Sequence, residues 1–178
     1  MATPQAQSFA VPPPPAWAWW LFLGLAGVLP LGIIGMLTLS GKPAHGAAPA
    51  LFIIPIVLVF LLLTMRRRSV TLQHGVLEIR AALYTQKVAV SELNVERARI
   101  VDLAERTELK PLIKTNGFST LGFNAGYFRL RDHFGKAFCL ITDSHKVLWL
   151  PRNDGKSQYL ISLERPHALL DALRAGNR

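Results

Sequence analysis

Two short motifs in the second half of the chain place an acid beside a histidine: Asp132-His133 and Asp143-Ser144-His145. The sole cysteine, Cys139, falls between them. A carboxylate, a hydroxyl and an imidazole are the parts of a hydrolytic triad, and Asp, His and Cys can ligate metals. Either chemistry needs its groups to converge on one point. The surrounding pattern predicts that they do not. GYFRLRD, HFGK and AFCLITD read as strand, turn and strand, which puts the two histidines at opposite ends of one hairpin. Asp, Ser and His are also common turn residues, used there for local hydrogen bonding. Cys139 sits between Phe138 and Leu140 and reads as a small buried apolar group. A single cysteine excludes an intramolecular disulfide and argues against a cysteine-based zinc site. NGFSTLGFNAG (116–126) carries glycines without the spacing of a phosphate loop or its following Lys-Ser/Thr. The expectation is a protein with no catalytic residues, no metal and no cofactor.

Charge is distributed very unevenly. The chain of 178 residues has a net charge of +9, yet residues 1–65 hold one charged side chain, Lys42. The remainder carries 19 Lys/Arg against 11 Asp/Glu, a balance of +8. Arg66, Arg67 and Arg68 mark the border. Three charges fall short of the clusters of about 4–8 that bind anionic lipid, and they read as a stop-transfer and orientation signal, with Arg80 a candidate to join them. Tyr127, Arg129, Arg131, Trp149 and Arg152 interleave aromatic and basic residues, as nucleic-acid surfaces do. A half-exposed hairpin in a basic domain produces the same pattern, and no nucleic-acid partner is expected.

Residues 17–39 and 47–65 are uncharged and apolar. At ~1.5 Å per helical residue both can cross a hydrocarbon core of roughly 30 Å. Trp17, Trp19 and Trp20 cluster where the first begins, at the depth of anchoring indole rings. Pro30 and Pro55 are tolerable inside such helices and mark places to bend them. With the loop at 40–46 too short to fold, the spans form a hairpin. The first is too long and its flank too poor in Lys and Arg for a cleaved signal peptide. Positive charge stays on the cytoplasmic side. The triplet therefore predicts both termini inside and the loop outside. Residues 1–16 are proline-rich and are expected to be an extended spacer.

From residue 69 onward the pattern is that of strands. His74-Gly75 signals a tight turn, Val70/Leu72, Val88/Val90 and Ile100 fit period-2 burial, and residues 105–125 look irregular. KVLWLP and SQYLIS pair across the polar turn 152–156. A helix follows from about Leu163 to Ala175, with Ser162 as N-cap and Leu163, Leu169, Leu170 and Leu173 as its apolar stripe. These elements predict a small antiparallel barrel or sandwich with a C-terminal helix over one end. Phe118, Leu121 and Phe123 are expected to cover an end of it, the alternative being an exposed apolar lip. Phe118 and Phe123 with Tyr127, Arg129 and Arg131 form the candidate interaction surface.

The order of elements resembles the bacterial pleckstrin-homology-like domains found behind transmembrane spans. The likeness is clearest over residues 126–173, in G-Y-F-R-L, a turn, an apolar strand ending T-D, V-L-W-L and a Ser-led terminal helix. Over 69–125 it extends only to strand order. The resemblance implies two transmembrane helices followed by a β-rich domain at 69–178, membrane-tethered and non-enzymatic. Eukaryotic relatives of that fold bind phosphoinositides through basic residues around the first strand–strand loop. Here that loop, Gln73-His74-Gly75, holds no Lys or Arg, so inositide binding is not expected. The resulting expectation is a multi-pass protein of the bacterial inner membrane. Its domain acts as an interaction or scaffolding module in contact with membrane lipids, holding a protein partner or a second copy of itself. The alternatives are an anionic-lipid-binding module and, further off, a small membrane enzyme or accessory transport subunit.

Overall fold

The structure, a computed structural model, describes residues 6–41, 47–120, 122–132 and 134–176. It divides into two compact units. One is helical, Pro15–Arg66, and the other joins the chain before Pro15 to everything after Arg66.

In the helical unit, α1 (Ala16–Leu23) runs through a π-helical turn, Gly24–Val28, into α2 (Leu29–Leu39). The π turn lies immediately before Pro30, whose ring has no N–H to donate to the preceding turn. One widened turn absorbs the mismatch. Helix α3 (Ala47–Arg66) carries Pro55 internally. Ala16–Leu39 and Pro49–Arg66 are each long and apolar enough to cross a membrane. Their side chains find little cover: Trp20 is 75% exposed, Phe52 73% and Leu39 91%. Gly27 is buried, and a Cβ there would stand 2.7 Å from Leu58 Cδ1, so the helices touch where one lacks a side chain.

The second unit begins before the helices. Strand β1 (Gln7–Phe9) pairs antiparallel with β2 (Arg68–Gln73), setting Phe9 opposite Val70. β3 (Val76–Ala81) and β4 (Tyr84–Ala89) complete a four-stranded sheet in the order β1-β2-β3-β4. The expected spacer is therefore structured in part. Its prolines stop the ladder, since they cannot donate to it. The next carbonyl, of Ala10, instead accepts from Glu164 N at 3.0 Å. His74 and Gly75 both have positive φ (50° and 70°), as the two-residue β2–β3 hairpin requires. The turn between β3 and β4 is Ala82-Leu83, which has none of the usual turn residues and reads in sequence as more strand.

The second sheet has six strands in the order β5-β9-β10-β8-β7-β6. They are β5 (Arg99–Val101), β6 (Pro111–Thr120), β7 (Phe123–Leu130), β8 (Lys136–Ile141), β9 (Val147–Pro151) and β10 (Ser157–Ser162). Three expectations change here. The stretch read as irregular contains the ten-residue β6, paired to β7 with two register shifts. Its Asn116-Gly117 is no turn. Gly117 faces Gly126 across the ladder, where a Cβ on either would meet backbone at 2.7 Å, and the hairpin turns instead at Gly122 (φ 78°). The sheet is not wholly antiparallel, because β10 inserts between β9 and β8 and runs parallel to β8. Period-2 burial holds for Val88 and Val90. In β5 it selects Val101 rather than Ile100, which is half-exposed.

The central strands are buried on both faces, with Ala137, Cys139, Ile141, Val147, Trp149 and Leu160 in one cluster with Phe128 and Leu130. Helix α4 (Pro166–Gly176) buries Leu169, Leu170 and Leu173, starting later than the expected Leu163. Its first residue is proline, favoured there because its missing N–H would have no partner anyway. Ser162 is not its cap. The hydroxyl is wholly buried at the end of β10, accepting from Thr142 N (3.1 Å) and Asp143 N (3.2 Å) and donating to Asp143 O (2.7 Å). It joins β10 to the chain leaving β8. Ser162→Ala should cost about 1–3 kcal/mol by stranding those buried groups. Thermal unfolding of the full chain in micelles would register this as a lowered midpoint.

Candidate functional site

Along β7 the side chains alternate: Phe128 and Leu130 enter the core while Tyr127 and Arg129 face the other way. Beside them, β8 presents Lys136 and Phe138, and β10 presents Ser157 and Tyr159, while the intervening Gln158 accepts from Trp149 Nε1 on the other face. Together with Gln86 of β4, Thr115 and Asn116 of β6, and Arg152 just after β9, they line an open cleft of about 460 Å³. Its floor is aromatic. Tyr127 meets Phe138 edge to face at 5.1 Å, and Phe138 meets Tyr159 at 6.4 Å. Tyr84 of β4 meets Tyr127 edge to face at 6.1 Å. Two phenols bind the sheets together here: Tyr127 Oη donates to Gln86 Oε1 (2.9 Å) and Tyr84 Oη to Asn116 Oδ1 (2.7 Å). Burial raises the pKa of the Tyr159 phenol, so it stays a neutral donor.

The cleft is basic at its rim. Arg129 is held by a hydrogen bond from its Nη1 to Phe134 O (3.0 Å). Arg152 is ion-paired with Glu92 and lies 3.7 Å from Asp154. Lys136 is exposed, and among the described residues no acid pairs with it.

The expected interaction surface is divided among separate places. Tyr127 and Arg129 belong to the cleft. Arg131 is exposed beyond the end of β7, its N–H donating to Lys110 O (3.0 Å). Phe118 and Phe123 pack on each other at 5.9 Å at the far end of the β6–β7 hairpin. Phe123 is wholly buried and Phe118 half-buried, so they cover the sheet rather than form a lip. Leu121 lies outside the described residues. Of the membrane-flanking residues, Trp17 and Trp20 are exposed on α1 and Trp19 is half-exposed. Arg66 ends α3, Arg67 reaches Thr85 Oγ1 at 3.5 Å, and Arg68 opens β2. Arg80 stands in register with Ser69 but is engaged by Glu78 at 2.6 Å, a contact that holds the Glu78 carboxyl below its usual range.

Lys136, Gln86 and Tyr159 were not singled out in the sequence. They come from three strands far apart along the chain, and nothing local marks them as neighbours.

Among the described residues, Asp143 and His145 do not converge with Cys139. His133 lies outside the described residues. His145 Nδ1 is 2.8 Å from Asp102 Oδ2, and its backbone N–H donates to Asp143 Oδ1 (2.9 Å). Cys139 is in mid-strand, fully buried, with its thiol pKa pushed up by burial. Among the described residues no group of three or more His, Cys, Asp or Glu could hold a metal ion. The His145–Asp102 contact pins the segment after β5 to the β8–β9 loop.

That contact raises the pKa of His145, first through the hydrogen bond to Asp102, and lowers that of Asp102. The histidine's stabilising contribution is complete below its unfolded pKa of about 6.5 and fades as pH rises through the raised folded value. The aspartate's contribution is present above about 3.9 and is lost as pH falls through the lowered one. The ring is 69% exposed, so solvent screens the pair and the effect on stability is small. Titration is the sensitive readout. Asp102→Asn should lower the His145 midpoint in an NMR titration of its imidazole protons, and an unchanged midpoint would remove the pairing. No protein-family model, curated protein or solved structure matches the chain.

Proposed function

We propose that this chain is a membrane-anchored, non-enzymatic interaction module. Its two apolar helices cross the bilayer as a hairpin and hold a pleckstrin-homology-like β-domain on the cytoplasmic side of a bacterial inner membrane. One observation carries the membrane arrangement: β1 precedes the first apolar helix, β2 follows the second, and the two form one ladder, Gln7–Phe9 with Val70–Leu72. Segments that share hydrogen bonds share a compartment. A chain that leaves that compartment through one helix must return through the other. Arg66, Arg67 and Arg68 support the cytoplasmic side, since basic residues next to a span are retained in the cytoplasm.

The interaction reading rests on the surface around the start of β6 and the turn after β7. There Leu112 is 50% exposed, Ile113 48% and Phe134 55%, with Lys110, Lys114 and Arg131 about them. Exposed apolar side chains with a polar rim mark contact surfaces, and β6 is the outer strand of its sheet, with no strand paired on its far side among the described residues. The partner is a protein or a second copy of the chain. The basic rim favours one other reading, direct contact with anionic headgroups.

Two measurements test this. Cysteines introduced at Ser40 and at Ala175 should react with an impermeant maleimide from outside and only after permeabilisation, respectively. The reverse pattern would overturn the orientation. Cys139, buried and with a raised pKa, should stay silent in both. Replacing Phe134 by p-benzoylphenylalanine and irradiating native membranes should yield a discrete protein adduct; adducts to lipid alone would replace the protein-partner reading with the headgroup one.

A further inference from the structure

The cleft between β7, β8 and β10 has a property that the membrane arrangement does not call for. Arg129 and Lys136 stand directly opposite each other in the β7–β8 ladder. Like charges opposite one another across antiparallel strands destabilise the pair. Nothing in the fold offsets this pair: Arg129 donates to a neutral carbonyl, and Lys136 has no acidic partner among the described residues. Arg152 also lies on the lining, but its charge is met by Glu92 and, from Nε at 3.7 Å, by Asp154, so the uncompensated pair is Arg129 and Lys136. No carboxylate lines the cleft. Under this basic rim lies the floor of Tyr127, Phe138 and Tyr159, two of them nearly fully buried. The volume, about 460 Å³, is that of a pocket for a small organic molecule.

We propose that this cleft binds a small phosphate ester with an apolar or aromatic body. The phosphate sits between Arg129 and Lys136, and the body lies on the Tyr127–Phe138–Tyr159 floor. An anion between the two side chains turns a cross-strand repulsion into two charge-assisted contacts. The aromatic floor favours an ester over bare phosphate, because only the ester brings surface to bury against the rings. Gln86, also on the lining, supplies a neutral polar group for the ester's remaining oxygens. The same chemistry is found in a free metabolite and in a phospholipid headgroup.

The probe is phenyl phosphate, titrated against the full chain in phosphatidylcholine nanodiscs and followed by saturation-transfer NMR. Saturable binding to one site is expected, with benzyl alcohol and inorganic phosphate each binding more weakly. Lys136→Glu should weaken phenyl phosphate at least ~10-fold, equivalent to about 1.4 kcal/mol. The same variant should keep or raise the thermal unfolding midpoint, since it replaces a like-charge pair by an opposite one. Lys146→Glu makes the same change in net charge at an exposed position outside the cleft and should leave affinity unaltered. Equal affinity in Lys136→Glu and the parent chain, equal loss in Lys146→Glu, or no saturation would overturn the site. Nanodiscs doped with phosphatidylglycerol identify the source. Competition with phenyl phosphate marks a lipid headgroup as the ligand, and undiminished binding marks a soluble ester.

Discussion

Strand β10 is hydrogen-bonded along both edges, parallel to β8 and antiparallel to β9, and the rest of the β-domain depends on this insertion. A strand paired on both sides favours apolar residues where it is also covered on both faces, and Tyr159, Leu160 and Ile161 supply them at its buried middle. Its parallel register against β8 aligns Tyr159 with Phe138 and Ser157 with Lys136, which assembles the floor and rim of the cleft. Its last residue, Ser162, gives its hydroxyl to the backbone leaving β8 in place of capping the next helix. α4 is thereby delayed to Pro166, and its leucines complete the burial near β5 and β9.

A second constraint acts at long range in sequence. Gln7 pairs with Leu72, so the four-stranded sheet cannot be finished until both apolar helices have been made. Contacts of that separation are entropically expensive to close and form late. The prolines after β1 contribute by narrowing the conformations open to the segment that leads into α1. The segment before the helices and the domain after them belong in this way to one compact unit.

Charge and aromaticity in the β-domain follow from the strand period. Along β7 one face supplies Phe128 and Leu130 to the core, and the other supplies Tyr127 and Arg129 to the cleft. The acid–histidine motif near the end of β8 fits the same logic. Asp143 and His145 stabilise a loop, His145 reaches across to Asp102, and the intervening Ser144 accepts Leu103 N–H through its carbonyl. Residue types suited to catalysis serve there as loop hydrogen-bonding groups.

Much of this architecture was legible because its signals are local. Two uncharged apolar runs, the turn at His74-Gly75, the hairpins flanking HFGK and RNDGK, and a terminal helix with leucines at helical spacing depend on residues close together in the chain. Where the local signal was ambiguous, the reading failed in a physical direction. Asn116-Gly117 has turn composition, but its glycine answers to a close approach by Gly126. Ser162 has N-cap composition, but two buried N–H groups claim it first. Ala82-Leu83 turns the chain with no turn residue at all, held by Ala82 N–H to Arg67 O. The sequence by itself determined which segments are apolar, where most strands begin and end, and which side chains alternate along β7. Only the tertiary structure decided that the first strand lies before the helices, that β10 enters between β8 and β9, and that Arg129 faces Lys136. Hydrophobic periodicity and turn chemistry act over a few residues, whereas strand partners are chosen by burial and hydrogen bonding across the whole domain.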